Sequence, residues 1–425
     1  MKAHVLSELG CRTEAPPISW LMATALARPQ LISLAAGFTD NESLPVKEVR
    51  QLLKEILRSP KNGQTALQYG TTAGDPALRE LTARHLRRLD GQPGAERAYS
   101  PERMIITSGS QQMLYMVSEA LCDPGDIVLV EDPSYFVYLG ILQSHGVRAR
   151  GIRMEKDGLD LARLEAVLED LARSGELRRV KLLYLVSYYQ NPTGLTTSFE
   201  KKVGALKLLR QYEKAAGHPL YLLEDAAYRE LRFQGDDLPS ALTIKGRWDR
   251  VIYTGTYSKP FATGMRVGFG LLPEPVFTAV LRIKGNHDFG SSNFLQQLLA
   301  RALSSGRYER HLGELQKRYA HKAQVMRKAL QEHFPAQVEW WGPGGGLYFW
   351  ARLPPKLKSG PNSTFFRKTL AANVLYVPGA LCYADDPTRP KPNHEMRLSF
   401  GGATETNVRA GIARMGAVLR DLLRR

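Results

Sequence analysis

The sequence predicts an α/β protein: a three-layer α/β/α domain on a mixed, mostly parallel sheet, followed by a smaller α+β domain. From about residue 100, short apolar runs of β type alternate with longer helical ones, the pattern of buried parallel strands covered by helices. Each run ends in polar or turn-forming residues, the place where open α/β sheets bind ligands. Beyond about residue 300 the alternation stops, and one long helical stretch, Leu312 to His333, precedes several β-like segments.

The predicted strands of the first domain are Met104 to Thr107, Ile127 to Val130, Val180 to Val186, Leu220 to Leu223 and Val251 to Thr254. Helices are expected between them, including Gln111 to Leu121 after the turn Ser108-Gly109-Ser110, and Ser198 to Ala215 after Asn191-Pro192-Thr193-Gly194. The β-like segments of the second domain are Gln337 to Trp341, Gly346 to Trp350 and Met396 to Phe400. No internal repeat, low-complexity stretch or long Gly/Ser linker interrupts the chain, so the domains join through structured segments. The expected division is a large domain over 46–300 and a small one made of 1–45 and 301–425.

The 425 residues are 43% hydrophobic and 24% charged, an ordinary globular composition. A net charge of +16 raises the question of nucleic acid. The basic residues are scattered through amphipathic stretches such as Leu81 to Leu89, which favours solvated helix faces and a bias toward anionic ligands. The expectation is therefore no nucleic-acid partner. Cys11, Cys122 and Cys382 are widely spaced and form no CxxC pair, so neither a metal site nor a disulfide framework is expected. The run Met1 to Gly10 lacks a signal-like apolar core, and no apolar run reaches membrane-spanning length. A soluble, cytoplasmic protein is expected.

The residues after the strands carry chemistry. Ser108-Gly109-Ser110-Gln111 is either a common turn and N-cap or an anion cradle at a helix N-terminus. Tyr135, in Asp132-Pro133-Ser134-Tyr135, is a core aromatic or a plate for a flat ring, and Asn191 is an Asx turn or an amide donor. Asp225 follows a strongly apolar run, where a charge needs a cation or hydrogen bonds; Tyr228, three residues on, reaches the same ligand if that segment is helical. The run Thr256-Tyr257-Ser258-Lys259 offers an amine able to condense with an aldehyde, with hydroxyls before it and Arg266 seven residues after it to share a phosphate.

In this order and spacing the motifs resemble the class I/II aminotransferases among the fold-type I pyridoxal-phosphate enzymes, in the branch of 2-aminoadipate and kynurenine aminotransferases. The resemblance runs from Leu34-Ala35-Ala36-Gly37 and Leu67-Gln68-Tyr69-Gly70, through the segments above, to Gly344-Gly345-Gly346-Leu347-Tyr348 and Arg397-Leu398-Ser399-Phe400. It implies pyridoxal 5'-phosphate bound to Lys259 as a Schiff base, with that amine as the proton shuttle. Asp225 would pair with the ring nitrogen, Asn191 and Tyr228 with its phenolic oxygen, and Tyr135 would stack on the ring. Ser110, Gln111, Thr256, Ser258 and Arg266 would hold the phosphate, joined by Tyr69 from a second subunit of a homodimer. Arg397 would clamp the substrate carboxylate near Gly37 and Asn191. The implied reaction is ping-pong transfer of an amino group from an L-amino acid to a 2-oxo acid, 2-oxoglutarate being the commonest acceptor in the family.

Two features depart from the family. Ala36-Gly37-Phe38-Thr39-Asp40-Asn41-Glu42 stands where the family commonly has Gly-Gly followed by a proline-containing turn; in relatives that segment lies near the substrate side chain, so the resemblance implies that Phe38 narrows or shields the pocket. The aminotransferase-like pattern begins within the first few tens of residues, so the DNA-binding domain of the related regulators is not expected. The competing readings are a lyase or decarboxylase on the same scaffold and, from the charge, a nucleic-acid or effector-binding protein.

Overall fold

The computed structural model describes residues 5–91 and 96–424; the first four residues of the N-terminal run discussed above lie outside it. Fourteen strands are found among the described residues: β1 (Ile32–Ser33), β2 (Met104–Thr107), β3 (Ile127–Asp132), β4 (Arg148–Glu155), β5 (Gly158–Leu159), β6 (Val180–Val186), β7 (Tyr221–Asp225), β8 (Val251–Thr256), β9 (Gly268–Leu271), β10 (Glu339–Trp341), β11 (Tyr348–Arg352), β12 (Val374–Leu375), β13 (Val377–Pro378) and β14 (Glu395–Ser399).

The main sheet has the order β2-β9-β8-β7-β6-β3-β4-β5. Its centre, β8 to β4, is parallel, while β9 runs antiparallel to both β8 and β2, and β5 antiparallel to β4. All five expected strands are present. Three were not anticipated, for physical reasons. β4 reads Arg-Ala-Arg-Gly-Ile-Arg-Met-Glu, a half-exposed strand whose charges hide it, and β5 is only two residues long. β9 reads Gly-Phe-Gly-Leu, which looks like a turn. Its glycines are required by packing: a Cβ on Gly268 would lie 2.4 Å from the Ser110 amide nitrogen, and one on Gly270 2.5 Å from Met113 Cε.

The crossover from β3 leads outward to β4, whereas β6 leads the other way to β7. The sheet therefore switches direction between β3 and β6, and the loops leaving these two strands carry Tyr135 and Asn191. Beyond the long helix Arg307–His333, an antiparallel sheet of order β10-β11-β14-β13 forms. The N-terminal segment joins this part of the chain, since β1 pairs in parallel with β12. Leu34 N–H then donates to Leu375 O, and Leu34 O accepts from Ser399 N–H.

Candidate active site

Ten of the thirteen expected site residues line one cavity of about 110 Å³: Ser110, Gln111, Tyr135, Asn191, Asp225, Tyr228, Thr256, Ser258, Lys259 and Arg266, together with Val186 and Ala227. Gly109 (φ 79°) turns the chain from β2 into the helix Ser110–Leu121, and no side chain caps the first amides of that helix. Ser258 N–H donates to Thr256 Oγ1 at 3.1 Å, and Arg266, itself at φ 51°, donates to Ser258 Oγ at 3.3 Å. A Cβ on Gly109 would come within 2.7 Å of Arg266 Nη2, so glycine is what lets the guanidinium and the helix N-terminus face one another.

Lys259, just past β8, donates from Nζ to Gly37 O at 2.7 Å. Desolvation, with Arg266 and Arg397 adding repulsion, pushes its ammonium down to about 8, so the nucleophilic free amine is far more accessible near neutral pH than in an ordinary lysine. Asp225 ends β7. Burial lifts its carboxyl to about 6, opposed by hydrogen bonds from Tyr184 Oη–H to Oδ2 (2.9 Å) and from Ala227 N–H to Oδ1 (3.0 Å). The segment after β7 is a turn and not the helix entertained from sequence; a one-turn 3₁₀ helix starts only at Arg229. Tyr228 still reaches the cavity, and its hydroxyl lies 2.9 Å from that of Tyr348.

Gly37, Arg397 and Tyr69 lie outside the cavity lining. The first two adjoin it: Gly37 through Lys259, and Arg397 by donating to Asn191 Oδ1 and Ala35 O, each at 2.6 Å. Arg397 is buried between the rings of Phe136 and Tyr348, and its Nε has no partner. A buried guanidinium with an unspent donor is suited to a carboxylate. Tyr69 is 83% exposed, packed edge-on against Phe289. Among the described residues no group of three or more His, Cys, Asp or Glu could hold a metal ion.

Sequence reasoning missed Tyr184, Tyr348 and the Ala35 carbonyl. Tyr184 did leave a signal, a hydroxyl inside the otherwise aliphatic end of β6 that needs a buried partner. Tyr348 lies in the glycine-rich motif noted above but had no visible role. A backbone acceptor such as Ala35 O leaves no trace in side-chain patterns.

Residues 29–415 match the family model for aminotransferase class I and II. The chain belongs to this family. Among relatives of this aminotransferase, aromatic-amino-acid aminotransferase 1 of Thermococcus litoralis is 32% identical over 93% of the chain and 89% of its own length. The 2-aminoadipate transaminase of Thermus thermophilus is 31% identical over 93% and 92% respectively. Among solved structures, Pyrococcus horikoshii kynurenine aminotransferase, in complex with PMP, superposes with a TM-score of 0.88 at 29% identity, covering 99% of this aminotransferase and 98% of that chain.

Proposed function

We propose that the protein transfers an amino group from an L-amino acid to a 2-oxo acid, with 2-oxoglutarate as acceptor, using pyridoxal 5'-phosphate held in the cavity at Lys259. The observation that carries this reading is Lys259 itself: an amine depressed to about 8, in one cavity with a buried carboxylate, an aromatic ring and a cluster of anion-binding donors. The donor set fits the cofactor. Ser110, Gln111, Thr256, Ser258 and Arg266 suit a phosphate, and the close approaches at Gly109 and Gly268 keep the donor-bearing backbone open to it. Asp225 suits a pyridinium nitrogen, Tyr135 the ring face, and Asn191 with Tyr228 the phenolic oxygen.

When bound, the cofactor supplies an aldehyde and an electron-accepting ring that lowers the cost of breaking a bond at the substrate Cα. The chain's part is positioning and proton transfer. Arg397 binds the substrate α-carboxylate, with Asn191 and Ala35 O fixing the plane of its guanidinium. Lys259 Nζ, free of its proton, takes the proton from Cα and redelivers it. Asp225 holds positive charge on the ring nitrogen. The lyase reading is not favoured, because the family match is to aminotransferases.

We extend the proposal to a homodimer of two-domain subunits with shared active sites, divided as 46–300 and as 1–45 with 301–425. The parallel pairing of β1 with β12 supports grouping the N-terminal segment with the later part of the chain. Leu67, Tyr69 and Phe289, exposed by 69%, 83% and 58%, support contact with a second copy, with Tyr69 reaching the partner's phosphate site. The cytoplasm fits three free cysteines, and no helix among the described residues is long and apolar enough to cross a membrane.

The test is a half-reaction screen of the cofactor-loaded protein with an aromatic amino acid, 2-aminoadipate and kynurenine in turn. Transamination predicts one equivalent of 2-oxo acid and the pyridoxamine form of the cofactor. Release of ammonia or carbon dioxide without that form would overturn the reading. Borohydride reduction should fix the cofactor to Lys259, and Lys259→Ala should remove the label.

A further inference from the structure

Asp225 has to be charged for the role given to it, yet its burial works against the charge and lifts the carboxyl to about 6. The carboxyl is 3% exposed, and none of the influences on its ionisation is a cation. The titratable groups that feel its charge are Glu131 on β3, Tyr135 at the head of the helix Phe136–His145, Tyr138 within that helix, and Tyr184 on β6. Glu131 is pushed up to about 8 by its own burial, so it is largely uncharged near neutral pH and adds little repulsion. What remains in favour of the carboxylate is two neutral donors, the Ala227 amide and the Tyr184 hydroxyl.

The two donors differ in kind. The amide belongs to the turn that Asp225 itself begins, whereas the hydroxyl comes from the neighbouring strand. In the parallel register, Tyr184 stands opposite Leu223 and Val186 opposite Asp225. Tyr184 is thus the diagonal neighbour of Asp225 on the same face, a separation that an aromatic side chain spans. The phenol is held in place. Tyr184 is fully buried, its ring centroid lies 4.1 Å from that of Tyr138, and the Tyr138 hydroxyl accepts from Ser118 Oγ at 3.2 Å. Its hydrogen is aimed at Asp225 Oδ2.

We propose that Tyr184 is a positioning residue for Asp225: its O–H, fixed by packing on Tyr138, keeps the buried carboxylate ionised and oriented so that the ring nitrogen of the cofactor meets an acceptor. The proposal rests on the cofactor reading above, although its first test does not. A phenylalanine at 184 preserves shape and packing and removes only the donor, so it separates a role in charge from a role in the core.

Difference infrared titration of the apo-protein, with Asp225→Asn as the reference, follows the Asp225 carboxyl directly. In Tyr184→Phe the carboxyl should become about tenfold weaker as an acid, an upward shift of about one pH unit. Site-specific 3-fluorotyrosine at 184, a stronger donor of nearly the same shape, should shift it downward, and serves if the phenylalanine variant fails to fold. Tyr138→Phe, which keeps the ring and loses the Ser118 contact, should leave it within a few tenths of a unit. The affinity of the apo-protein for pyridoxal 5'-phosphate, read by fluorescence quenching, should fall about tenfold in Tyr184→Phe. Unchanged Asp225 ionisation in both 184 variants, with or without a loss of thermal stability, overturns the proposal. Failure of the parent protein to bind the cofactor would instead overturn the functional reading and leave the infrared result standing.

Discussion

The tasks proposed for two side chains at the site are separable, and each yields a measurement. Arg397 already spends donors on Asn191 and Ala35 O and keeps Nε for a ligand; its link to the proposed cofactor side runs through the oxygen of Asn191, not through that residue's amide N–H groups. Arg397→Ala should raise KM for the amino donor roughly 10- to 100-fold, the worth of a charge-assisted contact to a carboxylate, and leave retention of pyridoxal 5'-phosphate largely intact; equilibrium dialysis and steady-state kinetics check both. Lys259 has a stability cost. Its pKa is about 8 in the folded protein against 10.5 for an unperturbed lysine. Between those values the unfolded chain binds more protons, so stability rises with pH across that window; below it the full penalty stands. Lys259→Met apo-protein should therefore be more stable than the parent at pH 7, by on the order of 2 kcal/mol once its partial exposure is discounted. Urea titrations repeated upward from pH 8 should show the gap closing by about pH 10.5.

At the scale of elements, β9 decides how closely the sheet approaches the helix Ser110–Leu121. Gly268→Ala would drive a methyl against backbone atoms of Gly109 and Ser110, which cannot yield as a flexible side chain would. The expected cost is about 1–3 kcal/mol with weaker cofactor affinity, read from the urea midpoint and from fluorescence quenching. This strand also marks where the sequence stops being readable. Apolar runs such as Ile127 to Val130 declare themselves because burial on both faces leaves only aliphatic residues. β9 has glycines where its neighbours press hardest, so the tightest packing looks like a turn. The same contrast holds at the site: strand-end side chains were legible because chemistry limits their type, and Asp225, Lys259 and Arg266 were placed by that logic. Tyr184 and Ala35 were not, one acting through another residue and the other through its backbone.

For the whole molecule, the proposed shared-site dimer makes a numerical forecast. If Tyr69 serves the partner's site, a hybrid of one Tyr69→Ala subunit and one Lys259→Ala subunit contains one intact site and one with both lesions. Mixing the two inactive proteins under exchange conditions should therefore restore about a quarter of the parental sites at random pairing. No recovery would mean that Tyr69 serves its own subunit. The N-terminal segment ties the molecule together in another way. Within three residues, Ala35 O receives Arg397 and Gly37 O receives Lys259 Nζ, while Leu34 is fastened to both β12 and β14. Two residues of chain span at most about 7 Å, so this short stretch ties the guanidinium proposed to grip a carboxylate to the amine proposed to carry the cofactor, and on that reading it sets the spacing between them. An α-amino acid carries both functions on one carbon and matches that spacing. β-Alanine and 4-aminobutyrate hold them one and two carbons further apart, and each should fail as a donor in the half-reaction even at saturating concentration.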